Sequence, residues 1–265
     1  MATRALAMSK FSIPGVPVLL YHGIAPGRSA LVDRYWLLES ELRAQLRLLR
    51  GERYRTVHVR DSGAPQPGPH RIAITFDDGL ASDYRLAFPL LQEHGFTADF
   101  FVNTAYIDTP GYLRWSEMLE MQRAGMSFQS HGHRHANYLS LKPEAAVEEL
   151  RLSRQLLQQK LGRPADCFSA PYGLLNRHLI DAACQAGFTL VCSSRNWPAR
   201  RAQRLIGRIY LCHGIASEEF LALAQCSALP LLRRSLREAL LFLPKRLVHR
   251  LCPQWRAVGP YPEKA

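Results

Sequence analysis

Short apolar runs alternate with amphipathic stretches along most of this 265-residue chain, and that alternation constrains the fold more than any other feature. Val16–Tyr21, Ile72–Phe76, Ala98–Val102, Met126–Ser130, Phe168–Ala170, Leu190–Cys192 and Ile206–Leu211 are long enough for buried strands and too short for helices. Between most of them the apolar period becomes helical. In EAAVEELRLSRQLLQQKLG, Val147, Leu150, Leu157 and Leu161 fall on one stripe and Gly162 supplies the stop. LLNRHLIDAACQAGF repeats the pattern up to Gly187, and LASDYRLAFPLLQEHGF reads as a further helix. Strands separated by helices pair in parallel, so the predicted class is α/β, with a sheet either doubly wound or closed into a barrel.

In a parallel barrel, functional groups collect at the carboxyl ends of the strands. Here His22 follows VPVLLY, Asp77 and Asp78 follow IAITF, His131 follows MSFQS, and Pro171 and Tyr172 follow FSA. Four strand ends that would share one mouth thus carry polar, titratable or shape-setting residues.

RIAITFDDGL places two carboxylates side by side at such an end, where each raises the cost of ionising the other. Asp-Gly is also a hairpin signal. A hairpin would return at once into a strand, whereas this chain continues into a helical pattern. SHGHRHANYL supplies His131, His133 and His135, and the i, i+4 pair His131 and His135 can share one side of a helical turn. Two imidazoles and one carboxylate make a frequent ligand set for a catalytic divalent ion, and Asp78 completes it. Asp77 then has a use as the general base that deprotonates water. A cation between them also lifts the electrostatic objection to the pair. Taken alone, the histidines read equally well as a solvated loop.

TFDDG followed by SHGHRH resembles the polysaccharide deacetylase family, the NodB-homology carbohydrate de-N-acetylases, over roughly residues 14–225. The resemblance implies a distorted (β/α) barrel of about seven parallel strands. It implies Asp77 as base and Asp78, His131 and His135 as ligands of one divalent ion, usually Zn2+, with Ni2+, Co2+ or Fe2+ as alternatives. It also implies Pro171 and Tyr172 lining the groove, with the Tyr172 backbone amide as an oxyanion donor. An arginine that normally precedes this Pro-Tyr pair is missing, with Ser169 or a neighbour in its place. That departure leaves Asp77 without its usual orienting partner. Trp197 in RNWP is the nearest candidate for a further family aromatic.

The family's Leu-x-His motif, whose histidine protonates the leaving amine, occurs twice, at His22 in LLYHGI and at His213 in LCHG. The YHG opening and LIGRIYL resemble the permuted branch that includes the poly-N-acetylglucosamine deacetylases, which makes His22 the expected acid and His213 an ordinary residue. Trp115 and Tyr138 are candidates for stacking on sugar faces, with core packing the alternative for Trp115.

A net charge of +12 is concentrated late in the chain, where Arg195–Arg256 holds 12 Lys and Arg against 3 acidic residues. Without a helix-turn-helix, zinc-finger or RNA-recognition signature, no nucleic-acid partner is expected. The six cysteines lack a C-x-x-C pair and read as buried free thiols of a reducing compartment. The opening residues lack a signal-peptide core and no run is long enough to span a bilayer. The expected location is the cytoplasm, with a peripheral position on the inner face of the membrane as one option for the C-terminal segment. DSGAPQPGPH, residues 61–70, reads as a surface loop.

Residues 1–228 are accordingly expected to form the catalytic domain, and 229–265 a basic amphipathic extension. Within LPLLRRSLREALLFLPKRLVHRL, residues 229–251, leucines at helical spacing accompany six Lys or Arg and one acidic residue. That composition suits an anionic membrane surface, or equally a helix packed on the barrel. The expected substrate is an N-acetylated sugar in a glycan or lipid-linked glycan. A catalytically silent carbohydrate-binding relative and a metal-dependent amidase on a non-sugar substrate are the alternatives.

Overall fold

Every named strand pair in the computed structural model is parallel, as the intervening helices require. The structure describes residues 12–63, 70–199 and 204–237. In chain order the elements are β1 (Val18–Tyr21), β2 (Ile24–Ala25), β3 (Leu37–Leu38), α1 (Glu39–Gly51), β4 (Arg55–Thr56), β5 (Arg71–Phe76), α2 (Phe88–His94) and β6 (Asp99–Val102). There follow α3 (Trp115–Arg123), β7 (Ser127–Ser130), α4 (Pro143–Leu161), β8 (Cys167–Ser169), α5 (Arg177–Gln185), β9 (Leu190–Ser193), β10 (Leu205–Gly207), β11 (Ile209–Tyr210) and α6 (Ser217–Ala224). The main sheet runs β10-β9-β8-β7-β6-β5-β1-β11, with β4 alongside β5.

The two ends of that order are adjacent in the chain and separated only by Arg208. Leu205–Gly207 pair with Val191–Ser193, while Ile209 and Tyr210 pair with Leu19 and Leu20. The run Ile206–Leu211, expected as one strand, is therefore two. A straight strand would leave one end of the sheet unpaired; a bend at Arg208, whose N–H donates to the Ser193 carbonyl at 3.0 Å, joins both ends into a nearly closed barrel. Gly207 makes the bend possible. A Cβ there would lie 2.5 Å from the Trp197 carbonyl oxygen and 2.8 Å from that of Arg195.

Alternation along the strands sorts side chains to the two faces of the sheet. Tyr21, Phe76, Phe100 and Phe128 occupy matching registers on four adjacent strands and stack at centroid separations of 5.1, 5.0 and 5.6 Å. They share a core with Leu42, Leu46 and Leu49 of α1, Leu91 of α2 and Met118 of α3, so this ladder is the outer face, covered by helices. Val18, Ala73, Phe101, Cys167, Cys192 and Ile206 form a second cluster of the opposite parity, which fills the interior.

The expected helices are present, with one difference. Over Leu80–Phe96 the first turn is a π-segment, Asp83–Ala87, in which the Phe88 N–H bonds the Asp83 carbonyl. Pro89, directly after, lacks an N–H and would clash with the carbonyl four residues back in a regular helix. Widening the preceding turn relieves that conflict. Gly95 and Gly162 end α2 and α4 in the left-handed region.

All five described cysteines are free; Cys252 lies outside the described residues. So do residues 64–69 of the expected surface loop and most of the expected C-terminal extension. The backbone over residues 228–237 is helical and contributes Leu231 to the main core. Among the described residues no helix is long and apolar enough to cross a membrane.

Closure through Gly207 predicts that Gly207→Ala lowers stability by about 1–3 kcal/mol, the usual cost of overpacking. Urea unfolding measures this directly, and an unchanged midpoint would show that the seam tolerates a methyl group.

Candidate active site

At the end of β5 the chain must turn sharply to enter the helix, and it does so through Asp78 and Gly79 at φ values of 80° and 72°. For an aspartate this is a sparsely populated conformation, of the kind that persists where surrounding structure holds it. A Cβ on Gly79 would lie 2.9 Å from Val102 Cγ1, so glycine is required for space as well as for φ. The turn that Asp-Gly signals is real. It leads into a helix, and it tips both carboxylates into the barrel mouth, where each is buried.

His131 and His135 reach the same point from the end of β7. The helical turn allowed for them does not form. Residues 131–137 are irregular, with Gly132 at φ 89° and His135 at φ 52°, and these two left-handed residues fold the segment back so that the rings converge at 5.1 Å. Each Nε2 lies 3.4 Å from Asp78 Oδ1, and the donor atoms of Asp78, His131 and His135 all fall within 4.8 Å of one another. His131 Nδ1 donates to the Ser169 carbonyl at 2.9 Å, which aims Nε2 at the carboxylate. Lone pairs this close repel unless a proton or a cation lies between them. The three residues present thus fit a divalent ion, two imidazole nitrogens and one carboxylate oxygen on a buried site. Burial favours the neutral carboxyl of Asp78, but hydrogen bonds from His131 and His135 outweigh it and hold the group well below the usual carboxylate range. His133 turns away, with Nδ1 2.8 Å from Thr104 Oγ1.

Asp77 stands beside this triad, its Oδ2 4.0 Å from His131 Nε2. Its expected lack of an orienting partner is overturned. Arg208 is fully buried and grips Asp77 with both arms of its guanidinium, Nη1 to Oδ1 at 2.7 Å and Nη2 to Oδ2 at 2.7 Å. Nη2 also donates to Ser169 Oγ at 2.6 Å, and that hydroxyl donates to Asp77 Oδ2 at 3.1 Å. Phe101 stacks beneath the guanidinium at 5.0 Å. Ser169, at the position where the arginine was missed, is therefore a hydrogen-bonding partner of an arginine delivered from the barrel seam. The signal was present in LIGRIYL as a charged residue inside an apolar run. For Asp77, burial alone would raise the pKa, but the Arg208 guanidinium and then His131 prevail and leave it below the ordinary value.

His22 follows β1, its ring 5.4 Å from Tyr35 and its buried Nδ1 without a hydrogen-bond partner. It is close enough to help depress both Asp77 and Asp78. His213 is engaged elsewhere: its Nδ1 lies 2.9 Å from Glu41 Oε2, a carboxylate that also accepts from the Gly214 N–H. Pro171 is buried, and Tyr172, at φ 60°, sets its ring 4.6 Å edge-on to His135 and leaves two-fifths of its surface exposed. Tyr138, considered for stacking on sugar, is buried against Phe168 with its hydroxyl on Glu149, so it holds the His131–His135 segment in place and is unavailable to a ligand. Trp115 packs against the main core. Trp197 is exposed at the seam, beside Gly207. Sequence reasoning also passed over Asp83, which is fully buried behind the pair; burial, and then the charge of Asp78, push its carboxyl well above the usual range.

This architecture has counterparts of known kind. A putative polysaccharide deacetylase of Bacillus subtilis, YxkH, is 26% identical over 212 residues, spanning 77% of this chain and 74% of its own. The poly-beta-1,6-N-acetyl-D-glucosamine N-deacetylase of Staphylococcus epidermidis is 27% identical over 135 residues, 44% of this chain and 47% of the relative. The solved structure of the Streptococcus pyogenes deacetylase PplD in complex with acetate superposes with a TM-score of 0.74 at 22% identity, covering 81% of this chain and 99% of that one. Residues 64–191 match the family model for polysaccharide deacetylase. The matched residues include Asp77, Asp78, His131 and His135, so the stretch that resembles the polysaccharide deacetylase family is the one that builds the buried cluster.

Proposed function

We propose that the protein is a metal-dependent hydrolase that removes the acetyl group from an N-acetylated sugar of a glycan or lipid-linked glycan. The observation that carries the reading is the convergence of Asp78, His131 and His135 on one point with Asp77 held beside it by Arg208. Relatives named for deacetylation of polysaccharide support the substrate class.

Asp78, His131 and His135 would hold the ion, zinc being the best fit to two imidazoles and a carboxylate. Such an ion supplies Lewis-acid polarisation of the acetamide carbonyl and acidifies water. Asp77 accepts the proton of the attacking water. The Arg208 fork keeps Asp77 ionised and fixes its lone pairs, which makes Arg208 a positioning residue. His22 donates a proton to the departing amine, and acetate leaves. The Tyr172 backbone N–H stabilises the developing oxyanion, a contribution typically worth about 10²–10³ in rate. With an arginine on Asp77, the main ground for a catalytically silent relative falls away.

Three outcomes test this reading. Acetate release from N-acetylated oligosaccharides or lipid-linked N-acetylhexosamines should stop when the protein is stripped with a chelator and return with added Zn2+; turnover indifferent to chelation would exclude the metal. Asp77→Asn should keep bound metal, measured by elemental analysis, and lose about 10²–10⁴-fold in acetate release. An active Asp77→Asn protein would contradict the base assignment. Arg208→Lys keeps the charge and loses the fork. Because Arg208 lowers the Asp77 pKa, the acidic limb of the rate–pH profile should move to higher pH in this variant, and an unmoved limb would separate Arg208 from Asp77 in function.

A further inference from the structure

The helix over residues 228–237 is held to the barrel along one side only. Leu231 is fully buried in the main core. Arg234 is drawn in by three contacts: Nη1 donates to the Tyr210 carbonyl at 2.6 Å, Nε donates to Glu219 Oε1 at 3.1 Å, and the guanidinium lies 5.2 Å over the Tyr210 ring. These contacts fix the helix's rotation. At about 100° per residue, Leu229, Leu232 and Leu236 then form a stripe on the side opposite Leu231. They are 54%, 51% and 57% exposed, three of the four most exposed among the seven large apolar side chains that the described residues leave open to solvent.

What covers such a stripe is indicated by its flanks. Arg233 and Arg237 are exposed and lie beside the leucines on the same outward half of the helix. The segment that continues from them, residues 238–251, carries the same sign, with three Lys or Arg and His249 against Glu238 alone. A leucine ridge bordered by arginines complements an anionic interface, with the apolar groups entering at the headgroup boundary and the guanidiniums remaining among phosphates. A soluble protein partner of matching acidity would leave the ridge only partly served, and a second copy of this chain would set these arginines against one another.

We infer that the Leu229–Leu232–Leu236 face docks the protein on an anionic lipid surface. The position of the helix gives that docking a consequence. Arg234 touches Tyr210, Tyr210 packs edge-on to Tyr35 at 5.8 Å, and Tyr35 lies against His22. The lipid-facing helix therefore adjoins the rim of the catalytic mouth. An N-acylated sugar presented at a membrane surface is the substrate that this arrangement serves, a consequence that rests on the proposed deacetylase activity; the docking itself does not.

Vesicle co-sedimentation of the full chain reads docking without turnover. The protein should bind vesicles of phosphatidylcholine mixed with phosphatidylglycerol at least about tenfold more tightly than phosphatidylcholine alone. Replacing the three leucines together (L229Q, L232Q and L236Q) should abolish the binding. Replacing both exposed arginines (R233S and R237S) should weaken it about thirtyfold, from about fivefold per cationic side chain. The arginine variant alters exposed side chains only and keeps the test valid should the triple variant fail to fold. Equal binding to both vesicle types, no binding to either, or undiminished binding by both variants would overturn the inference. A lipid-free dimer that the leucine variant converts to monomer by analytical ultracentrifugation, without anionic-vesicle binding by the parent protein, would also overturn it and give the stripe to a second copy.

Discussion

The ion pair between Arg208 and Asp77 joins the fold to the chemistry. A guanidinium and a carboxylate taken fully out of water are costly, and the cost is offset only when geometry is good and the remaining hydrogen-bonding capacity is met. Here the geometry is bidentate at 2.7 Å for both bonds, with Ser169 and Thr75 hydroxyls at the Nη atoms and the Phe101 ring against the guanidinium, and Nε alone is left without a hydrogen-bond partner. Arg208 is also the residue at which one end of the sheet passes to the other. Removing it would strand an anion inside the barrel and loosen the seam, so the barrel's closure and the readiness of Asp77 are one arrangement.

Around this pair the mouth divides labour between two kinds of carboxylate. Asp77 and Asp78 are adjacent in sequence yet face different partners, a guanidinium for one and two imidazoles for the other. The positive φ at Asp78 is what brings both into one mouth while aiming them at different partners. Without that turn, successive side chains would project to opposite faces of a strand. With it, both enter the same cavity, one toward Arg208 and one toward the histidines, and the repulsion between them is answered on each side.

Much of this was legible in the sequence. The strand runs, the glycine stops of α2 and α4, the strand-end placement of His22, Asp77, Asp78, His131, Pro171 and Tyr172, and the barrel itself follow from apolar periodicity together with the family motifs. Three features did not. The break of Ile206–Leu211 into two strands depends on which partners lie at the sheet's ends, a tertiary fact that no local pattern encodes. Arg208 was missed as the partner of Asp77 because the motif was sought beside Pro171, in sequence, whereas the arginine arrives in space. The His131–His135 spacing suggested a helical turn, but Gly132 and His135 adopt left-handed conformations that the i, i+4 interval does not reveal.

The central claim is that Asp78, His131 and His135 hold one divalent ion while Asp77 remains clear to take a proton. A crystal structure of the zinc-loaded protein, with anomalous scattering at the zinc edge, tests it most directly. The account predicts a single strong anomalous peak bonded to an Asp78 carboxylate oxygen and to Nε2 of both histidines, with Asp77 still gripped by Arg208. A peak ligated by other residues, or Asp77 recruited as a ligand with Arg208 released, would contradict it.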